Sequence, residues 1–408
     1  MIRPIHSINR LVLLLAVVCA ARAQTLIDPS LLGGYARRFV PQPADRPLEC
    51  AVAPIKTSLN FSFHLQSGYV ARIPMRQYFG PGHAWLVAFR ITPLGGGGQP
   101  VYFADKVLLP DIPRNQTEFE IGGGYLLGAG RYRVDWMMYD DEGRVCRKDW
   151  RVEAKLQHSE RLAKVASPPF TVQAFSLRGA PNPAPAREDR APFRVTILMN
   201  ATPLLPWRTH LRASDRVLLI GSLSALMERL PASSVRLVVF NLDQQKEIYR
   251  HDGFTPDAIG DAGQAIGSLA LNLIDYQVLQ RPRGFLDLLS DLVRRELQSP
   301  EPSDAVIFLG PTTHYLDKPP PGIGERPPGS KPMFYYFQYK PGFIRAGAPL
   351  PVSVYGRPDL KLPDTIQQAV TALKGRVFTI FNPGDFAKAI DQLERHVSAS
   401  PSPEHAMR

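Results

Sequence analysis

The sequence predicts two regions of different fold class: an antiparallel β-sandwich of immunoglobulin-like type, followed by a doubly wound, mostly parallel α/β sheet. Over residues 24–178, short alternating or aromatic runs are separated by Gly- and Pro-rich turns, which is typical of a sandwich. Over residues 192–397, near-continuous apolar runs alternate with amphipathic segments, which indicates strands of a parallel sheet covered by helices on both faces. Between them, the Pro-rich stretch 179–191 predicts an extended linker, and we expect 398–408 to be a disordered tail.

The N-terminus has the pattern of an export signal. Met1–Arg10 carries two arginines and no acid, Leu11–Ala20 is apolar and uncharged, and Ala21–Ala23 gives the small-x-small pattern of a cleavage site. The apolar run is too short to span a bilayer, which takes roughly 20 residues, and no second long apolar run follows. We therefore expect residues 1–23 to be a signal peptide cleaved near Ala23. The mature chain is then periplasmic or secreted, without a transmembrane segment.

Composition and charge argue against some classes of fold and function. The chain has 408 residues, 44% of them hydrophobic and 21% charged, which is ordinary globular usage. Its 40 prolines argue against an all-helical bundle, because Pro breaks helices. The net charge of +11 falls to +8 without the three arginines of the signal, and the basic residues are scattered. Export and scattered charge together argue against nucleic-acid binding.

Two of the three cysteines remain in the mature chain. Cys19 lies in the signal, which leaves Cys50 and Cys146. An oxidising compartment favours a disulfide between them. Two separate thiols stay equally open, since sequence gives no Cα–Cα distance.

The first region contains six stretches whose residues predict strands. They are Leu59–Leu65, Trp85–Ile91, Val101–Phe103, Tyr132–Tyr139, Val145–Val152 and Phe170–Phe175. Asp140–Gly143 has the acid and Gly chemistry of a hairpin turn. The glycine runs Gly95–Gly98 and Gly122–Gly124 lack the Lys-Ser/Thr pair of a phosphate-binding loop, so both are predicted to be hairpin loops.

The second region alternates apolar strands with amphipathic helices. The predicted strands are Phe193–Met199, Ser234–Phe240, Ala305–Leu309, Met333–Phe337 and Val377–Ile380. The predicted helices are Ala213–Leu230, Gly284–Leu297, Ile366–Leu373 and Pro383–His396.

The element order and the closing stretches Ala372–Ile380 and Pro383–Ile390 carry a family resemblance. From about Pro192 to His396 the chain resembles a von Willebrand factor A-like domain, and more narrowly the A-domain-related exported proteins of acidobacteria. The resemblance implies a sheet of A-domain type that binds a protein partner through the carboxyl ends of its strands. We expect that partner to lie in the cell envelope.

The family's cation site is degenerate in this chain. In A-like domains the first strand ends in Asp-x-Ser-x-Ser, and those oxygens hold a divalent cation, which needs at least one anionic ligand. The matching positions here are Asn200, Thr202 and Leu204. Asn200 keeps an oxygen but no charge, and Leu204 has no ligand atom.

The second carboxylate of the family is missing as well. It should follow the fourth strand, which ends in Gly310 and Pro311, and the nearby Thr312 and Thr313 are neutral. We therefore expect no metal and no cofactor, with Mg²⁺ or Mn²⁺ as the weaker alternative. The degenerate positions should still form the binding edge. They are Asn200, Thr202, Gly310, Thr312 and Thr313.

No catalytic set is visible in the sequence. Gly221–Ala225 is similar to a Gly-x-Ser-x-Gly elbow, but it lacks the second glycine and lies inside a predicted helix. His210, His251 and His314 stand alone, without the spacing of a zinc site. We expect an exported, non-enzymatic protein-interaction module. The alternatives are an unrecognised exported hydrolase that uses Ser222 or a histidine, and a structural component of the envelope.

The segment Pro311–Pro332 is dense in Pro and Gly and follows directly on the fourth strand. Two interpretations stay open. It is either a protruding loop that shapes the binding edge or a passive surface insertion.

Overall fold

The computed structural model describes residues 25–27, 38–109, 118–175, 193–205, 208–271, 276–328, 330, 332–340 and 362–399. The predicted signal peptide and the predicted linker 179–191 lie outside these residues. So do residues 400–408 of the predicted tail.

The first region contains two β-sheets. Its strands are Thr25–Leu26 (β1), Arg46–Pro47 (β2), Ala51–Leu59 (β3), Leu65–Pro74 (β4), Ala84–Pro93 (β5), Val101–Leu108 (β6), Glu118–Leu127 (β7), Gly130–Asp140 (β8), Arg144–Ala154 (β9) and Val172–Ala174 (β10). One sheet has the order β1-β6-β5-β8-β9-β2 and the other the order β10-β7-β4-β3. All pairs are antiparallel except β2 with β9.

The two sheets enclose an aromatic core and are crosslinked. The ring of Tyr69 in β4 lies 5.7 Å from that of Phe89 in β5 and 5.4 Å from that of Trp136 in β8. Cys50, next to β3 of one sheet, forms a disulfide with Cys146 in β9 of the other, and their Cα atoms are 6.3 Å apart. The sheets are thus joined by apolar packing and by one covalent bond.

The prediction of a strand over Leu59–Leu65 is wrong, because the chain turns there between β3 and β4. The side-chain oxygen of Asn60 accepts a hydrogen bond from the backbone N–H of His64 at 2.9 Å, and Phe63 has a φ of 57°. Phe61 and Phe63 are apolar because they contact the second region, as described below. The alternation in the sequence reflects that contact and not a sheet face.

The prediction of a loop at Gly122–Gly124 is also wrong, since these glycines lie inside β7. They allow an unusually close approach between strands. A Cβ added to Gly68 of β4 would lie 2.2 Å from the carbonyl oxygen of Gly123. Gly95–Gly98, by contrast, do lie in the connection between β5 and β6, as predicted.

The second region is a six-stranded sheet with helices. The strands are Phe193–Asn200 (β11), Ala232–Asn241 (β12), Lys246–His251 (β13), Ala305–Pro311 (β14), Met333–Tyr339 (β15) and Arg376–Ile380 (β16). The helices are Ala213–Arg229 (α1), Ile259–Gly267 (α2), Tyr276–Gln280 (α3), Gly284–Leu297 (α4), Thr365–Ala372 (α5) and Pro383–Ala399 (α6). The five strands and four helices predicted from the sequence are confirmed, whereas β13, α2 and α3 were not predicted.

The sheet has the order β13-β12-β11-β14-β15-β16. Only the pair of β12 and β13 is antiparallel. Helices α4 and α5 pack on one face around Phe308 and Tyr336, and α1, α2 and α6 pack on the other around Ile197 and Phe337. Among the described residues, no helix is both long and apolar enough to cross a membrane.

The turn at residues 60–64 joins the two regions. The ring of Phe61 lies 5.2 Å from that of Tyr339 and 6.0 Å from that of Phe386, and the ring of Phe63 stacks on Phe386 at 5.5 Å. The guanidinium of Arg229 lies 5.3 Å from the ring of Phe63. As a result, one apolar cluster runs from the sandwich core to the sheet of the second region.

Candidate functional site

The candidate site lies at the carboxyl ends of the central strands β11 and β14. The strand order reverses between these two neighbours, and ligands of open α/β sheets bind in the crevice at such a point. Asn200 ends β11 with Thr202 two residues beyond it, and Gly310 lies at the end of β14 before Thr312. The structure therefore brings the residues predicted from the sequence to one edge, which we call the strand-end edge.

Asn200 and Gly310 form the floor of this edge. A Cβ added to Gly310 would lie 2.7 Å from the carbonyl oxygen of Asn200, so only glycine fits without a shift of the backbone. Asn200 is 1% exposed, and within the described residues neither its amide oxygen nor its amide nitrogen has a hydrogen-bond partner. Buried polar atoms without partners cost free energy, so they favour a bound water or ligand here.

A buried carboxylate that the sequence analysis missed, Asp364, organises the β14 side of the edge. It precedes α5, and one of its oxygens accepts a hydrogen bond from the backbone N–H of Gln367 at 2.7 Å. The other oxygen accepts from the Thr312 hydroxyl at 2.9 Å, the Thr313 backbone N–H at 2.9 Å and the Gln338 side-chain amide at 3.1 Å. Asp364 is 1% exposed, so these donors and the Tyr336 hydroxyl, at 3.1 Å, stabilise its carboxylate in place of water.

Burial and the charge of Asp364 shift the pKa values of two neighbouring side chains, Tyr336 and Lys340. Burial first, and then the charge of Asp364, raises the pKa of Tyr336 well above its usual value, so its hydroxyl stays protonated. That hydroxyl lies 3.0 Å from the Pro311 carbonyl oxygen and 3.1 Å from Asp364 Oδ2. Burial lowers the pKa of Lys340, and Asp364 partly opposes that shift.

The β12 side of the edge is more open. Asp243 follows β12, and its carboxylate oxygens lie 3.5 Å from Thr202 Oγ1 and 3.6 Å from His314 Nε2. The side chains of Asp243 and His314 are 29% and 32% exposed. Tyr315 stacks on Phe285 at 3.9 Å, and burial first, then Asp243, raises the pKa of Tyr315. A carboxylate and an imidazole thus face solvent beside a fixed aromatic ring, next to the buried hydroxyl of Thr202.

The Pro- and Gly-rich loop 312–332 is fastened to α5. The backbone N–H of Thr365 donates to the Tyr315 carbonyl oxygen at 3.0 Å, and the side-chain amide of Gln368 donates to the Leu316 carbonyl oxygen at 2.9 Å. Of the two interpretations of this segment, these contacts favour a loop that shapes the edge. Asp364 and these contacts together hold its first residues in place.

The donors at the edge do not fit a divalent cation. Both oxygens of Asp364 already accept hydrogen bonds from the protein, and Asn200 and Thr202 are neutral. In the part of the chain that the structure describes, no three His, Cys, Asp or Glu side chains lie close enough together to hold a metal ion. A hard cation needs several oxygen ligands, and although Asp243 supplies a carboxylate beside Thr202 with His314 at 3.6 Å, no third acidic, imidazole or thiol ligand joins them among the described residues.

Ser222, the nucleophile of the hydrolase alternative, is fully buried in α1. Its hydroxyl donates to the Leu218 carbonyl oxygen at 2.7 Å and accepts from the Tyr339 hydroxyl at 2.7 Å. This is the bonding of a helix side chain that supports packing, and it does not present an oxygen to a substrate.

No protein-family model matches the chain, and no curated protein matches it. Three solved structures show a distant likeness. A structural genomics target solved by X-ray crystallography is 18% identical with a TM-score of 0.18, and the match covers 28% of this chain and 95% of that one. The putative ApaA protein from Bordetella pertussis is 14% identical with a TM-score of 0.20, over 28% and 99%. Superoxide reductase (neelaredoxin) from Ignicoccus hospitalis is 13% identical with a TM-score of 0.17, over 31% and 92%. TM-scores this low carry no argument about fold or function.

Proposed function

We propose that the protein is an exported, non-enzymatic interaction module that binds a protein partner of the cell envelope through its strand-end edge. One observation carries the proposal. Thr312, one of the positions that match the cation site of an A-like domain, is engaged by Asp364 within the protein, while Asp243 and His314 remain partly exposed beside Thr202, near the point where the strand order reverses. The edge therefore offers contact groups without a metal.

The finer fold assignments belong to the same proposal. We infer that the second region is of A-domain type, and the antiparallel edge strand β13 and the helices on both faces support this. We infer that the first region is immunoglobulin-like, and the disulfide between its two sheets supports this. The same disulfide and the export signal support a periplasmic or secreted location.

The chemistry of the edge favours a protein partner over a substrate. Polar and charged groups around a fixed aromatic ring are typical of protein interfaces, where aromatic anchors supply contact area and the rim stays polar. Tyr315 supplies the ring, while Asp243 and His314 supply the rim. Ser222 lacks the access that hydrolysis requires.

A pull-down from envelope extracts tests the proposal, with the full mature protein as bait and with or without EDTA. The informative variant is Asp243→Lys with His314→Glu, which inverts the charge at Asp243 and places a carboxylate opposite the new lysine. The matched control is Asp141→Lys with His83→Glu. That pair has its atoms 2.8 Å apart and lies at the end of the sandwich away from the second region.

We expect the wild type and the control to retain the same partner, and the edge variant to lose it. EDTA should change nothing, since the proposed contact does not depend on a cation. A partner retained equally by all three proteins contradicts the proposal, as does the absence of any specific partner. Retention that EDTA abolishes would show that a cation binds after all.

A further inference from the structure

Tyr339 belongs both to the contact between the two regions and to the strand-end edge. It is the last residue of β15 and is 1% exposed. Its ring packs edge-on against Phe61 of the sandwich at 5.2 Å and lies 6.1 Å from Phe386 of α6. Its carbonyl oxygen accepts the backbone N–H of Thr312 at 3.0 Å. One residue thus connects the sandwich to the first residue of the edge loop.

Phe61 is held firmly in its place. The side-chain oxygen of Asn60 accepts hydrogen bonds from the backbone N–H groups of Ser62 at 3.0 Å and His64 at 2.9 Å, which closes the turn. The carbonyl oxygen of Phe63 accepts the backbone N–H of Ala166 at 3.0 Å. The turn therefore presents Phe61 from a braced backbone and not from a loose loop.

Tyr339 has little freedom to move once Phe61 is in contact with it. Its hydroxyl donates to Ser222 of α1 at 2.7 Å, and burial raises its pKa, so the proton stays on the oxygen. Ser222 is in turn fixed by the Leu218 carbonyl oxygen. The ring is bounded by α1, by α6 and by Phe61, and the last of these contacts comes from the other region.

We propose that Phe61 is a positioning residue for the strand-end edge. Its ring holds Tyr339 in place, and the hydrogen bond from Thr312 to Tyr339 transmits that position to the edge loop and to Asp364. The sandwich thereby sets the shape of the surface that the other region offers. The functional role of this coupling rests on the proposed function, whereas the contacts that would transmit it do not depend on that function.

Hydrogen exchange of single backbone amides tests the coupling without any partner. In Phe61→Ala, we expect the Thr312 amide to exchange about tenfold faster, the size expected for the loss of one aromatic contact. The reference is the Ala201 amide, which donates to the Phe240 carbonyl oxygen at the same edge. Its exchange should stay unchanged. Equal acceleration of both amides, or of neither, would overturn the proposal.

The matched control is Phe63→Ala. The ring of Phe63 contacts Phe386 and Arg229, so its loss weakens the contact between the regions without removing a ring from Tyr339. We expect Thr312 to exchange less than threefold faster in this variant. If Phe63→Ala accelerates Thr312 as much as Phe61→Ala does, Phe61 has no special role.

A crosslink removes the concern that Phe61→Ala simply separates the regions. A Cβ on Gly221 would lie 3.7 Å from the Cβ of Ser62, which is within the range of a disulfide. Ser62→Cys with Gly221→Cys should therefore lock the turn to α1. In the locked protein, Phe61→Ala should still accelerate exchange at Thr312 selectively. Full protection of Thr312 in the locked Phe61→Ala protein would show that the ring does not position the edge.

Discussion

The two regions hold their layers together by different means. In the sandwich, two sheets meet through aromatic rings packed edge-on or tilted against each other, and the Cys50–Cys146 disulfide crosses between them. In the α/β region, two buried carboxylates tie helices to the sheet, with Glu296 of α4 at the amino ends of the strands and Asp364 before α5 at the carboxyl ends. Both carboxylates are 1% exposed.

This difference shows where each region is vulnerable. A disulfide stabilises mainly by restricting the unfolded chain, so it needs only two cysteines at the right distance. A buried carboxylate is costly unless donors meet each oxygen, so its contribution depends on several groups that must all be in place. The sandwich should therefore be sensitive to reduction, and the α/β region to the loss of single polar groups.

The largest effect should come from removing the crosslink of the sandwich. The disulfide closes a loop with a sequence separation of 96, for which the chain-entropy argument gives about 4.7 kcal/mol. We expect Cys50→Ser with Cys146→Ser to lower the free energy of unfolding by about that amount in denaturant titrations. A reductant should lower the wild type to the same level and leave the variant unchanged. A double variant as stable as the oxidised wild type would contradict this.

The next effect should come from Glu296. Its carboxylate accepts from the Thr196 hydroxyl at 2.7 Å and pairs with Arg236 at 3.1 Å. Glu296→Ala removes this acceptor from both groups and leaves Ser303 as the partner of Thr196 and Asp252 as the partner of Arg236. We expect a loss of about 3 kcal/mol in the free energy of unfolding. The control is Glu301→Ala, whose exposed pair with Arg194 should be worth less than about 0.5 kcal/mol. Equal losses in the two variants would refute the buried-pair argument.

The sequence predicted the α/β region better than the sandwich, and the reason is burial. The strand over Ala305–Leu309 is buried on both faces, so it appears in the sequence as an unbroken apolar run. The strand β13 was not predicted because it lies at the sheet edge with partly exposed side chains, so its sequence has no apolar run. In the sandwich, Phe61 and Phe63 gave the alternating apolar pattern of a strand, although they are apolar because they contact the other region. A local sequence pattern cannot reveal such a contact.

The strand-end edge was predictable in part. Asn200, Thr202 and Thr312 were found because the resemblance to A-like domains matches them to the cation-site positions that follow the first and fourth strands. Asp364 was missed because it lies 52 residues beyond Thr312 in the chain. Its place directly before a predicted helix is the signature of a helix-capping acid and could have drawn attention to it. Nothing in its spacing pointed to the strand ends.

Asp364 should give a smaller loss than Glu296, because its partners are neutral. Asp364→Asn keeps the size of the side chain but replaces one acceptor with an N–H₂ group, so at least one of the donors around it loses its partner. We expect a loss of about 2 kcal/mol in thermal or denaturant unfolding. The control is Asp215→Asn, since Asp215 accepts one backbone N–H, from Arg212, which an amide oxygen also satisfies. A larger loss at Asp215 would contradict the account.

The smallest effect concerns pH and lies in the sandwich. Burial lowers the pKa of His64, whose ring lies 2.8 Å from the Ser167 hydroxyl, so the folded state holds this imidazole neutral. Its contribution to stability is complete above the ordinary histidine pKa of 6.5 and is lost as pH falls below it, because the unfolded chain then binds the proton more readily. Arg229, whose guanidinium lies 5.3 Å from the ring of Phe63, is a charged group packed against this turn.

We therefore expect the urea midpoint of the wild type to fall more between pH 7.5 and pH 5.5 than that of His64→Gln. His83 supplies a control of opposite sign. Hydrogen bonding to the Phe79 carbonyl oxygen and to Asp141 raises the pKa of His83, so it favours the folded state at low pH and loses that contribution as pH rises. His83→Gln should therefore lose more stability on acidification than the wild type does. If both variants shift the pH dependence of stability in the same direction, burial does not control the pKa of His64.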